Sequence, residues 1–197
     1  MNKILPFIAT VLILFSFNSA ADTLVELICK AEKGDPGAQY RLGKLYFNGI
    51  TVKQNHTTAI AWYKKSAEQG NTDAQYNLGF IYLFGAGTEK DYSAAAQWYR
   101  KAAEQGSPVA ELMTGFMYQN GYGVEQSYSL ASQWYQKAAA QNEVDAQYAL
   151  GIYYQHGLGV EENQSIAKSY YRQACDNGHQ SGCNYYKILE EKGVPDI

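Results

Sequence analysis

Apolar and polar positions along this chain follow a helical spacing, and that spacing recurs every 36 residues from Ala38 to Ser181 without insertion or deletion. In the second copy, Leu78, Ile81 and Tyr82 share one face of a helix expected over Ala74 to about Phe84, with Asp73 placed to cap it. Gly85-Ala86-Gly87 breaks that helix, because glycine reaches positive φ at little steric cost. A second helix is expected over roughly Ser93 to Gln105, carrying Ala95, Trp98, Tyr99, Ala102 and Ala103 at helical spacing. Gly106 ends it, and the same register places Gly34, Gly70, Asn142 and Gly178 at the other terminators. Asparagine is the non-glycine residue that best tolerates the left-handed conformation expected there.

A fixed period of this length predicts stacked helix pairs, each unable to bury its apolar face alone. The expected fold is all-α, a right-handed α/α solenoid of four helix-turn-helix repeats at 38–73, 74–109, 110–145 and 146–181. Half-repeats cap it: 22–37 with a lone second helix over Leu24 to Lys33, and 182–197 with a lone first helix over Gly182 to Lys192 and a tail. Small residues recur where helices must approach closely, at Ala59, Ala95, Ala131 and Ala167 and at Gly43, Gly79, Gly115 and Gly151. Aromatic ladders at Trp62, Trp98, Trp134 and Tyr170, at Tyr63, Tyr99, Tyr135 and Tyr171, and at Tyr46, Tyr82, Tyr118 and Tyr154 read as core. Most of the 18 tyrosines are thereby assigned to structure.

Composition changes the picture mainly at the N-terminus. Lys3 precedes an apolar run from Ile4 to Phe17, and Ser19-Ala20-Ala21 precedes the polar Asp22, the pattern of a secretory signal peptide over 1–21 cut after about Ala21. The run is too short for a stable membrane span. Cleavage would take the net charge from −3 to about −4, a balance that recruits neither nucleic acid nor an anionic membrane surface. The mature chain is therefore expected in a periplasm or outside the cell, as a monomer without membrane insertion.

Three cysteines enter that oxidising compartment. Cys175 ends the last second helix and Cys183 lies in the first turn of the capping helix, so an antiparallel pair brings them within disulfide reach. The rival is a zinc site completed by His179, for which no fourth ligand is evident. Cys29 occupies an outward position with no expected partner. His56, His156 and His179 fall in loops or at helix ends, where solvated surface is the default. Ser165-Ile-Ala-Lys168 has the S-x-x-K form of penicillin-binding enzymes, but their S-D-N-like and K-T-G-like elements are missing. No catalytic residue, metal ligand or cofactor site is assigned.

The pattern LG-x-x-Y-x-x-G-x-G-V followed by A-x-x-W-Y-x-K-A-A-x-Q-G resembles the Sel-1-like repeat, a relative of the tetratricopeptide repeat. The resemblance covers 38–181, with local departures at Thr51, Thr114 and Tyr170. It implies a curved stack whose first helices line the concave side and bind a protein or peptide. Carried onto this chain, the groove positions are Tyr40, Lys44, Phe47 and Asn48, then Tyr76, Phe80, Leu83 and Phe84, then Leu112, Phe116, Gln119 and Asn120, then Tyr148, Ile152, Gln155 and His156. Lys44, Phe80, Phe116 and Ile152 share one register position yet differ in chemistry, as a recognition surface would. With Phe47, Leu83 and Phe84 they are expected to form an apolar patch edged by amides.

The cysteine pair is also similar to that of the Helicobacter cysteine-rich proteins, some of which are associated with penicillin binding or β-lactamase activity. The first reading is an exported, non-enzymatic scaffold for a protein or peptide partner in the cell envelope. Resemblance implies two alternatives: a periplasmic immunity protein against a phospholipase effector, and a weak β-lactam-binding protein or β-lactamase.

Overall fold

A computed structural model describes residues 23–197, so the signal peptide expected at 1–21 lies outside the described residues. The described residues form helices joined by short connections and include no strand. Helix α1 covers 23–32, followed by α2 (Pro36–Asn48), α3 (His56–Glu68), α4 (Thr72–Phe84), α5 (Tyr92–Glu104) and α6 (Pro108–Asn120). Helices α7 (Tyr128–Ala140), α8 (Val144–His156), α9 (Gln164–Asp176) and α10 (Gln180–Glu191) complete the order. The described residues form two compact units, 23–74 and 75–197.

In the first unit, α1, α2 and α3 enclose Ala31, Ala38 and Leu42, with Leu24, Leu27, Ile28, Tyr46 and Trp62 packed around them. The Asp35 carboxylate caps α2 by accepting from the Ala38 N–H, and Asn55 caps α3 by accepting from the Thr58 N–H at 3.0 Å. In the second unit, consecutive helices from α5 to α10 pack on one another. Its largest cluster joins Ala131, Tyr135, Ala138, Ala139, Ala146, Leu150 and Tyr153.

The recurring glycine and tyrosine interlock. A Cβ on Gly43 would stand 2.8 Å from the Tyr63 ring. At Gly79, Gly115 and Gly151 it would stand 2.6, 2.6 and 2.4 Å from Tyr99, Tyr135 and Tyr171. Each ring therefore lies against helix backbone, a contact no larger residue permits without displacing a core side chain.

The expected terminators adopt left-handed backbone, with φ between 82° and 98° at Gly34, Gly70, Gly106 and Gly178 and 63° at Asn142. Thr51, in place of the second loop glycine, is held at φ 68°, a conformation costly for a β-branched residue. The helix starts differ from expectation: α4 begins at Thr72, which puts Asp73 inside its first turn. The cap is Asn71, whose Oδ1 accepts from the Ala74 N–H at 2.8 Å.

The closing end carries two fasteners. A disulfide joins Cys175 of α9 to Cys183 of α10, with Cα atoms 4.4 Å apart. Closing so short a loop stabilises the folded chain by about 2–3 kcal/mol on chain-entropy grounds. Buried Lys168 holds the C-terminal segment: its Nζ donates to the Val194 carbonyl at 2.8 Å and pairs with Asp196 at 3.0 Å and Glu190 at 3.7 Å.

Candidate partner-binding face

The first-helix positions divide into exposed, half-buried and core groups. In the first unit, Lys44 is exposed. Tyr40 is half-buried with its ring 5.9 Å from Tyr63, and Phe47 packs edge-on to His56 at 4.9 Å.

In the second unit, Phe80 and Phe84 lie one turn apart on α4. Their rings are 4.7 Å apart and remain 40% and 55% exposed. Leu83, expected beside them, is only 5% exposed and packs in a cluster with Ala95, Ala96, Tyr99 and Met117. It supports the face from behind rather than contributing surface, because its position faces the Tyr99 layer. Tyr76 is half-buried at 5.5 Å from Tyr99.

Phe116 is half-buried and meets Tyr122 edge-on at 5.8 Å, while Tyr122 stacks on Tyr92 at 4.7 Å. Asn120 is half-buried and donates to the Phe116 carbonyl at 2.8 Å. Tyr92 and Tyr122 were not anticipated. The available signal was Tyr122, an aromatic middle residue of a Gly-x-Gly loop where the second and fourth copies carry Ala86 and Leu158.

Glutamines organise the C-terminal part of the face. Gln119 Oε1 accepts from the Tyr135 hydroxyl at 2.8 Å and the Tyr153 hydroxyl at 3.1 Å. Gln155 Oε1 accepts from the Tyr171 hydroxyl at 2.6 Å. Half-buried Ile152 lines a 270 Å³ cleft with Gln119, Tyr128, Tyr148, Tyr153 and Leu158.

Two recurrent contacts escaped the sequence reading. An amide at the end of each second helix reaches back to a first-helix partner 30 residues earlier. The pairs are Gln69 to Gln39 and Gln105 to Gln75 at 2.7 Å, Gln141 to Glu111 at 2.8 Å and Asn177 to Gln147 at 3.0 Å. Lys65, Lys101 and Lys137, which share the register position of Cys29 expected to point outward, fold over Trp62, Trp98 and Trp134 at 4.4, 4.3 and 3.9 Å from the ring centres.

The candidate chemistry resolves into structure. His179, expected in solvent, is half-buried. It caps α10 by accepting from the Gly182 N–H at 3.0 Å, and it stacks on Tyr148 at 4.3 Å. Its two cysteine neighbours share the disulfide, so the zinc ligand set is otherwise engaged. Cys29 is exposed and unpaired among the described residues. Burial pulls the Lys168 amine down, but the hydrogen bond and charge of Asp196, with Glu190, hold it above the ordinary lysine range. That amine is a charged anchor for the C-terminal segment, not a free base for Ser165.

Stacked helix pairs with a 36-residue period, closed by glycine–tyrosine interlocks and amide clasps, define a helical-repeat protein. The Sel1 repeat family matches residues 36–71, 72–107, 108–143 and 144–179, and the chain belongs to that family. Its solved relatives include c5321, a protective antigen of uropathogenic Escherichia coli with an SLR fold, at 36% identity and TM-score 0.84. That match covers 88% of this chain and 37% of c5321. A Sel1 repeat protein from Oxalobacter formigenes is 32% identical at TM-score 0.84, over 96% of this chain and 79% of its own. Helicobacter pylori cysteine-rich protein B is 27% identical at TM-score 0.53, over 69% of this chain and 98% of its own. A Sel1-like repeat-containing protein, L18, of Acanthamoeba polyphaga mimivirus is 51% identical over 37 residues, 19% of this chain and 6% of L18. Sel1 repeat proteins are generally non-catalytic scaffolds that mediate protein–protein interactions.

Proposed function

We propose that this chain is an exported, monomeric, non-enzymatic scaffold that binds a protein or peptide partner through the first-helix face of residues 75–197. One observation carries the reading: Phe80 and Phe84, paired on one helix, leave 40% and 55% of their surface to water. Exposed phenylalanine forgoes the free energy of burial, and a paired exposure of this kind matches the aromatic anchors of protein interfaces. Framework positions repeat in every copy, whereas one register carries lysine at 44, phenylalanine at 80 and 116 and isoleucine at 152, which supports recognition over stacking as its role. Export rests on the leader pattern at 1–21 and agrees with the Cys175–Cys183 disulfide, a bond favoured in oxidising compartments.

The test is capture from an envelope extract of the native cells on immobilised chain, read by mass spectrometry. Wild type is expected to retain a defined partner that Phe80→Ala/Phe84→Ala loses, with the helical circular dichroism of both unchanged. Identical capture by the folded double variant would refute the reading.

A further inference from the structure

Gln119 of α6 and Gln155 of α8 have engaged carbonyl oxygens and unengaged amide nitrogens. Gln119 Oε1 takes two phenol hydroxyls and Gln155 Oε1 takes one, so each amide lies with its oxygen toward those rings. Each NH2 group is thereby turned away from its tyrosines, and neither donates to an acceptor among the described residues. Stacking does not require a glutamine here. The second copy folds with Leu83 at this register, leaving the Tyr99 hydroxyl buried without a partner.

The cleft beside Gln119 is lined by rings and aliphatic groups, with no ionisable carboxylate, amine or guanidinium. A charged ligand would meet no counter-ion there, so the complementary group is a neutral acceptor next to an apolar body. Main-chain carbonyls of an extended segment have that chemistry, and successive side chains of such a segment point to opposite sides. A helical ligand would present carbonyls already bonded within itself.

We infer that Gln119 and Gln155 donate to backbone carbonyls of an extended partner peptide, one apolar side chain of which enters the cleft between Tyr148, Ile152 and Leu158. This rests on the partner-binding reading above and names the form of the partner. Gln119→Glu and Gln155→Glu are the informative variants: each keeps an oxygen for the tyrosine hydroxyls and replaces the NH2 donor by an acceptor. Gln119→Leu reproduces the second copy's residue without adding charge.

The experiment selects displayed random peptides against the whole mature chain, synthesises the winners and titrates them calorimetrically. Loss of a donor to a desolvated carbonyl should weaken binding at least about 10-fold in Gln119→Glu and in Gln119→Leu, and similarly in Gln155→Glu. Thermal midpoints of the Glu variants should stay close to wild type. Peptides that bind all variants as tightly as wild type would overturn the glutamine assignment while leaving the partner-binding reading intact. Failure to select any peptide above background would overturn the extended-peptide inference, while the partner-binding reading stands or falls on the capture experiment.

Discussion

The tyrosine overlying each first-helix glycine does not meet the same neighbour at its hydroxyl in every copy. Tyr135 and Tyr171 donate to Gln119 and Gln155, whereas the register places Leu83 opposite Tyr99, whose hydroxyl is buried without a partner. Burial pushes the Tyr99 phenol above its ordinary range, with Tyr76 adding to the effect. Tyr99→Phe removes a polar atom that gains nothing from being buried, so the urea midpoint should hold or rise. Tyr135→Phe removes a made bond and should lower stability by about 1 kcal/mol. Equal losses in the two variants would contradict the orphaned-hydroxyl account. Residues of this kind were the least legible from sequence. Leu83 looked like surface because its helix face was assigned by analogy, and the interlock that buries it depends on where the Tyr99 ring lies. His179 looked solvated for a similar reason, since its partners Tyr148 and Gly182 come from different helices.

Between elements, the amide clasps tie each second helix to the first helix of its own copy, and Glu111 is the one carboxylate in the set. Burial pushes its pKa above the ordinary 4.5, and the bond from Gln141 and the charge of Lys137 oppose the shift. A carboxyl raised in the folded state contributes stability that is complete below the unfolded value and declines as pH rises through the folded one. Glu111→Gln, the residue at the matching positions 39, 75 and 147, should therefore stabilise the chain at pH 7 by on the order of 1 kcal/mol. The advantage should vanish in unfolding titrations below pH 4.5. A gain that persists unchanged in acid would contradict desolvation as the cause. Helix order, loop position and terminators were all legible, because Gly106, Asn142 and their counterparts act locally through φ. The capping shift from Asp73 to Asn71 was not: both side chains can cap, and the choice follows from where the packed helix begins.

At the scale of the whole molecule, a repeated framework carries a small set of exposed and half-buried aromatic groups that are not common to all copies. The framework explains why an 18-tyrosine chain has most of its rings in contact with other rings or helix backbone. Phe80 and Phe84, with Phe116 and Tyr122, lie in the unit 75–197 and are the basis of the binding proposal. Sequence identified the phenylalanines because their register is not filled alike in every copy, whereas the stack of Tyr92 on Tyr122 left no such signal. The most direct measurement places a photo-crosslinking amino acid at position 84 of α4, or at exposed Gln133 of α7, in the native cell. Illumination should give a discrete covalent adduct from position 84 and none from position 133. Adducts of equal yield at both, or from position 133 alone, would contradict the account.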